Sequence, residues 1–162
     1  MDHVATLFEN QKYNEIKDTY FENFKSIDAL TCYFLTISLM MLEAFEDAET
    51  CFKFLKKTNT GFPDFFTYYA LCLIRLGKYK KAKRELRRVI EKNQLFFECS
   101  VEVSLKLAQL RRAKQLIKEA AAVGIESKQM AINDAVISFL SIKYDEAEKK
   151  FLKIHKDDSN NL

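Results

Sequence analysis

Glycine and proline are scarce in this chain, which has three glycines and one proline among its 162 residues. Typical proteins contain about 7% glycine and about 5% proline, and these residues supply most of their sharp turns. A long β-sheet would need more turn residues, so the scarcity favours helices joined by short loops. Hydrophobic residues make up 48% of the sequence, which is enough to build a packed core.

Residues that could carry catalysis or hold a metal ion are few and dispersed. His3 and His155 lie near opposite ends of the chain, and three scattered glycines cannot form a phosphate-binding loop. The cysteines form no C-x-x-C pair and fall inside apolar helical patterns, which predicts buried thiols in a reducing compartment; they are Cys32, Cys51, Cys72 and Cys99. We therefore expect no enzymatic activity, no metal site and no cofactor.

Long apolar runs are also missing. The strongest run, residues 32–42, is well short of the roughly 18 residues that a membrane span needs. The start of the chain, Met1-Asp2-His3, has no basic segment followed by an apolar one. We expect a soluble protein of the cytoplasm or nucleus that does not bind membranes, and the net charge of +3 is too small to select a partner.

What the chain does contain is a pattern that returns four times. Each copy is a large apolar residue, two charged residues and an alanine, at residues 45–48, 79–82, 110–113 and 144–147. A large apolar residue follows each alanine by four positions: Phe52, Leu86, Ile117 and Phe151. The alanines lie 34, 31 and 34 residues apart, and a weaker copy ends at Ile16, 32 residues before Ala48. An internal period of this length indicates a protein built from stacked repeats.

The spacing of apolar residues predicts two helices in each repeat. The predicted repeat units are residues 29–62, 63–93, 94–127 and 128–158, preceded by a shortened unit at 2–25, within one domain that spans residues 1–162. We expect Gly77 in the tight turn between two helices, where a positive φ is needed. Pro63 is predicted to open the first helix of its unit, and Gly124 to separate the helix at residues 114–123 from the next helix near Ser127.

A period near 34 with two helices per unit resembles the tetratricopeptide repeat. The unit at 63–93 matches that family best, through Phe66, Tyr69, Ala70, Leu73, Gly77, Tyr79, Ala82, Leu86 and Val89. The family's usual tryptophan and its proline at the repeat end are missing. The resemblance implies an all-α solenoid of antiparallel helical hairpins, with about four repeats and a shortened one at the N-terminus. It also implies a non-catalytic scaffold or adaptor for other proteins.

In the family that the chain resembles, the first helices of the repeats line a concave groove. The corresponding residues here are Tyr33, Ile37, Met40, Thr67, Leu71, Ile74, Glu98, Glu102, Leu105, Ile132, Val136 and Phe139. This predicted groove is largely apolar and has an acidic patch at Glu98 and Glu102. It suits an amphipathic helix or an extended apolar peptide of a partner protein. A second copy of the chain, giving a homodimer, and coverage by the chain's own terminal helix are the alternatives.

The second helices should face outwards, and two of them are strongly basic. Their predicted basic ridge consists of Lys80, Lys81, Arg84, Arg87, Arg88, Arg111 and Arg112. A solvated outer face explains such a ridge, and docking of an acidic partner is an alternative. Nucleic acid is disfavoured because no exposed aromatic residues alternate with the charges to stack on bases.

The predicted function is capture of a partner protein within a multi-subunit assembly. In outline only, the shortened first unit is similar to the helical-repeat scaffold subunits of the anaphase-promoting complex. A second interpretation is a small chaperone of secreted proteins, which has comparable length and an apolar groove. A third is binding of nucleic acid or of an acidic partner through the basic ridge.

Overall fold

The structure is a computed structural model that describes residues 3–58 and 61–159, apart from the side chains of residues 158 and 159. These residues form ten α-helices and no β-strand, which confirms the predicted all-α class. Residues 2, 59 and 60 of the predicted repeat units lie outside the described residues. The helices divide into two compact groups, which we name the N-terminal half (Met1–Lys78) and the C-terminal half (Tyr79–Leu162). The division into five repeat units stays a prediction.

The N-terminal half contains the first five helices: α1 (His3–Glu9), α2 (Tyr13–Tyr20), α3 (Ala29–Met41), α4 (Phe45–Lys57) and α5 (Phe65–Arg75). Helix α3 packs between α2 and α4, and α5 packs on α4. The start of α3 is fixed by Asp28, whose Oδ1 accepts hydrogen bonds from the backbone N–H groups of Leu30 and Thr31 at 3.0 Å each. The buried core of this half includes Leu35, Leu39, Phe52, Leu55 and Leu73.

The C-terminal half contains the other five: α6 (Tyr79–Leu86), α7 (Gln94–Lys106), α8 (Leu110–Ala122), α9 (Lys128–Leu140) and α10 (Tyr144–Ser159). Helix α7 contacts α6, α8 and α9, and α10 packs on α9. Side chains cap the starts of two of these helices: Asn93 Oδ1 accepts from Phe96 N at 3.0 Å, and Ser127 Oγ accepts from Met130 N at 3.2 Å. The predicted break between helices at Gly124 is confirmed, because α8 ends at Ala122, α9 begins at Lys128 and Gly124 has a left-handed φ of 75°.

One backbone turn recurs after every second helix. The loops after α1, α3, α5, α7 and α9 each contain a residue with φ between 56° and 68°: Gln11, Glu43, Gly77, Ala108 and Ile142. In each loop the next N–H donates to the carbonyl five residues earlier, at 2.7–3.0 Å. This is the Schellman turn, which satisfies carbonyl groups at a helix end. Among these five turns only the one at Gly77 has a glycine that signals the left-handed residue in the sequence.

The repeat alanines lie five residues after these left-handed residues, and all are buried. Ala48, Ala82 and Ala113 have no exposed surface, and Ala147 is 3% exposed. A small side chain lets the backbone of its helix approach its neighbours closely, and a longer side chain would force them apart. The burial confirms the phase of the repeat that the sequence predicts.

The predicted position of Pro63 is wrong. Helix α5 begins at Phe65, and Pro63 lies in the turn before it. The intervening Asp64 has a left-handed backbone, with φ of 56°, so the chain cannot continue from Pro63 into a right-handed helix. The carbonyl of Pro63 instead accepts a hydrogen bond from the hydroxyl of Tyr33 at 3.1 Å.

Replacing a repeat alanine tests the close packing directly. Ala113→Leu should lower the free energy of unfolding by about 1–3 kcal/mol, because the larger side chain has no room at a fully buried position. Ala122→Leu is the matched control, since Ala122 is exposed in the same helix. Urea unfolding followed by circular dichroism measures both variants. Equal stability of the two would contradict the proposed role of the alanine.

A second prediction concerns strain at Ile142. A β-branched residue with φ of 61° is strained, and its side chain is 75% exposed, so it contributes little burial. Ile142→Gly should raise the free energy of unfolding by about 0.5–1 kcal/mol, because relief of strain exceeds the entropic cost of glycine. Gly77→Ile, at the equivalent turn, should lower it by a similar amount, although a Cβ at Gly77 meets no atom within 4 Å. Thermal unfolding of both variants would show changes of opposite sign.

Candidate functional site

The predicted groove residues of the C-terminal half lie on two neighbouring helices. Glu98, Glu102 and Leu105 form a stripe along α7, and Ile132, Val136 and Phe139 form one along α9, which α7 contacts directly. All six side chains are at least partly accessible, and Phe139 is 55% exposed. Glu98 accepts a hydrogen bond from Gln94 Nε2 at 2.9 Å. We name these two stripes the α7–α9 face.

Four of the predicted groove residues of the N-terminal half are also partly accessible. Tyr33, Ile37, Met40 and Leu71 are half-buried. Tyr33 is also engaged within the chain, because its ring stacks on Phe62 with centroids 4.5 Å apart and its hydroxyl donates to the carbonyl of Pro63. Burial raises the pKa of this tyrosine well above its usual value.

Two of the predicted groove residues need correction. Thr67 has no exposed surface and Ile74 is only 3% exposed, so neither can contact a partner in this structure. Both lie on α5, where buried residues surround most of the helix. A helix that is apolar on nearly every side gives no pattern from which its accessible face can be read.

The predicted basic ridge lies entirely in the C-terminal half. Its seven residues are exposed, as predicted for an outer face. The structure adds a cleft beside them, about 440 Å³ in volume, between α6, α7 and α8. Its floor is formed by Leu86, Val89, Phe96, Ser100, Val103, Ser104 and Leu116, and its rim by Lys83, Arg87, Lys92 and Arg112. We name it the basic cleft, because every charged residue that lines it is a cation.

The cations of the basic cleft are held in different ways. Lys83 Nζ donates to Gln109 Oε1 at 2.7 Å, and Arg112 pairs with Glu119 at 3.0 Å. Lys92 Nζ lies 5.6 Å from the ring centroid of Phe96. Only Arg112 among these three is held by a carboxylate, so the cleft keeps a positive charge.

A larger cleft of about 700 Å³ lies between α8, α9 and α10, and its charges are mixed. Lys150 of α10 crosses to α9, where its Nζ pairs with Asp134 at 2.7 Å; it also pairs with Glu146 at 3.0 Å. Hydrogen bonds from Lys150 and Lys143 lower the pKa of Glu146 to about 2. The pair between Lys150 and Asp134 links α10 to α9, so these two charges have a structural role that needs no ligand.

The cysteines are placed as small core residues. All four are free and buried. Burial, and next the carboxylate of Glu49, raise the pKa of Cys72 to about 12, so its thiol stays protonated at neutral pH. Within residues 3–58 and 61–159, no three side chains of histidine, cysteine, aspartate or glutamate gather closely enough to hold a metal ion. None of the helices in the same residues is long and apolar enough to cross a membrane.

The fold is shared with several solved structures. MamA 41-end from Desulfovibrio magneticus RS-1 is 16% identical, with a TM-score of 0.75 over 99% of this chain and 98% of that one. A tetratricopeptide repeat protein from Parabacteroides merdae is 15% identical, with a TM-score of 0.67 over 93% of this chain and 60% of that one. A chain of the APC/C hetero-tetramer Cut9–Hcn1 is 16% identical, with a TM-score of 0.70 over 95% of this chain and 31% of that one.

These likenesses establish the class of fold. The chain is an all-α solenoid of helical hairpins with the tetratricopeptide repeat fold, as its sequence pattern predicts. No protein-family model matches the sequence, and no curated protein matches it either.

The floor of the basic cleft contains residues that the sequence did not predict there. Phe96, Ser100 and Ser104 of α7 form part of it. The charge pattern groups the cations of the helices on either side, whereas the predicted groove assigns α7 to a different surface. Phe96, Ser100 and Ser104 are among the many buried residues of α7. Which of these buried residues line a cleft depends on how α6 and α8 pack against the helix, and the sequence does not show this.

Proposed function

We propose that this chain is a non-catalytic scaffold that binds another protein through the α7–α9 face. The partner segment is an amphipathic helix or an extended apolar peptide. The observation that supports this most directly is the accessible apolar stripe of α9, where Phe139 is 55% exposed beside the partly exposed Val136 and Ile132. A contiguous exposed apolar surface marks an interaction site in a globular protein.

The chemistry of the face also indicates which helix it prefers. Glu98 and Glu102 lie one turn apart on α7, next to Leu105 in the same stripe. An apolar helix whose stripe is flanked by lysine or arginine could place its cations against these carboxylates. Such charge complementarity selects among apolar partners and sets their direction.

The proposed setting is a multi-subunit assembly in the cytoplasm or nucleus. The four free, buried thiols are compatible with a reducing compartment. A small chaperone of secreted proteins would use the same apolar face, and the identity of the captured partner separates these two functions.

An affinity-capture experiment tests the proposed face. We expect the parent protein to retain a specific partner from its native cell extract, and Leu105→Glu/Val136→Glu to lose it, because two buried carboxylates in the interface cannot be paired. Circular dichroism and thermal unfolding should first show that the variant is folded.

The matched control is Ile90→Glu/Val123→Glu, which makes the same chemical change at two exposed positions of the same half. It should retain the partner. The proposal is contradicted if the α7–α9 variant still captures the same partner, or if the control loses it as well.

A second candidate function is binding of an acidic protein segment in the basic cleft. The supporting observation is that its charged rim is entirely cationic, while the larger cleft beside α10 has both signs of charge. The floor adds apolar side chains and the hydroxyl groups of Ser100 and Ser104. This combination fits a peptide with several carboxylates around one apolar side chain.

A labelled polyglutamate peptide with one leucine near its centre is a suitable probe for this cleft. Arg87→Glu/Arg112→Glu should weaken its binding at least about tenfold, or roughly 1.4 kcal/mol, in fluorescence anisotropy. Arg84→Glu/Arg111→Glu is the control, because these exposed arginines belong to the ridge but do not line the cleft.

If both variants lose the same peptide affinity, the peptide does not bind at a defined site. It is then attracted only by the overall positive charge of this surface. An oligothymidylate of matched net charge separates the nucleic-acid alternative. If it binds more tightly than the peptide and weakens steeply with added salt, the ridge binds phosphate backbones instead.

A further inference from the structure

Helix α10 has an apolar side that the described part of the chain leaves largely exposed, apart from an edge-on contact between the rings of Tyr144 and Phe139, whose centroids are 5.5 Å apart. The repeat provides a comparison, because the residue four positions after each repeat alanine should play the same role. Phe52 at this position has no exposed surface and Leu86 is only 6% exposed, whereas Phe151 is 41% exposed. The apolar residue at this repeat position is thus buried in α4 and α6 but exposed in α10.

The cover on Phe52 is another helix. Its ring stacks on Tyr69 with centroids 5.1 Å apart and meets Phe65 edge-on at 5.5 Å, and both residues belong to α5. The equivalent side of a second helix of the repeat is therefore shaped to receive a helix with large apolar side chains.

On α10 this uncovered side extends well beyond one residue. Tyr144, Phe151 and Leu152 are all more than two-fifths exposed, while Ala147 and Lys150 turn towards α9. Positions 144 and 151 are separated by two helical turns and share one stripe. We name these three exposed residues the α10 flank.

We propose that the α10 flank binds the same flank of a second copy of this chain, with the two α10 helices antiparallel. The charge order along the helix supports this arrangement. Apart from Glu146 and Lys150, which pair within the chain, residues 144–148 contain two acidic residues and no basic one, and residues 149–156 contain three lysines and no acidic residue. Asp157 and Asp158 follow at the end of the helix. An antiparallel pair places each acidic segment beside a basic one, whereas a parallel pair opposes like charges.

The α10 flank can pair with its own copy without using any other surface. Helix α1, by comparison, presents His3, Thr6 and Glu9 as its exposed residues, while its apolar Val4 and Leu7 are buried, so it offers no apolar match for the flank. A self-complementary contact with two-fold symmetry uses the flank on both molecules at once and closes the assembly.

Sedimentation equilibrium of the full chain over a range of concentrations tests the proposal. We expect a mass twice that of the 19.0 kDa chain. Phe151→Glu and Leu152→Glu should each shift the protein to the monomer, by placing a carboxylate in an apolar contact. Because both side chains are exposed, circular dichroism and thermal unfolding should show folded variants.

Ile90→Glu is the matched control, because it makes the same change at a residue that is 93% exposed in the loop after α6. It should remain a dimer. A parent protein that is monomeric at all concentrations overturns the proposal, and the flank is then left for a helix of a different protein. A dimer that persists in both α10 variants overturns it too, because another surface must hold the copies together.

A charge-exchange experiment tests whether the two α10 helices face each other. Asp145→Lys/Glu148→Lys makes both segments of the helix basic in net charge, and Lys149→Glu/Lys153→Glu/Lys156→Glu makes both acidic in net charge. Each variant alone should be monomeric, and an equal mixture should form a heterodimer, because only the mixture opposes unlike charges. Dimers of either variant alone would overturn the pairing of these helices.

Discussion

A left-handed residue placed five positions before a buried alanine is the constraint on which the rest of this fold depends. The turn reverses the chain within a few residues, and its hydrogen bond to a carbonyl five residues earlier closes the end of the preceding helix. The alanine then lets the next helix pack without a gap. Because the same spacing recurs within each half, the same local turn sets the direction of successive helices there.

Much of this architecture could be predicted from sequence, because the alanine period and the helical spacing of apolar residues are both local patterns. The left-handed turns were predictable only where glycine marks them, at Gly77 and Gly124. Gln11, Glu43, Ala108 and Ile142 take the same conformation because the surrounding hydrogen bonds impose it, and the residue type carries no signal. Thr67 and Ile74 could not be assigned correctly, because α5 is apolar on most of its sides and only its neighbours decide which side is accessible.

The candidate binding surfaces were predictable in part for a related reason. Clusters of charged residues can be read from the sequence, so the cations of the ridge were identified. The floor of a cleft is made by residues of several helices, and their arrangement cannot be read in the same way. The floor residues Phe96, Ser100 and Ser104 come from α7, which the pattern assigned to a different face. Most exposed large apolar residues of the described chain, from Ile90 to Leu152, belong to the C-terminal half. The surfaces available for partners are therefore concentrated there, while the N-terminal half uses its apolar residues mainly in its own core.

The buried thiols have a consequence for how the two halves can be followed in solution. Cys32, Cys51 and Cys72 belong to the N-terminal half and Cys99 to the C-terminal half, and each is out of reach of an alkylating reagent while its helices stay packed. The rate at which a thiol is alkylated then reports how often the structure around it opens. The alkylation rates of Cys32, Cys51 and Cys72 therefore measure opening of the N-terminal half, and that of Cys99 measures opening of the C-terminal half, without any added label.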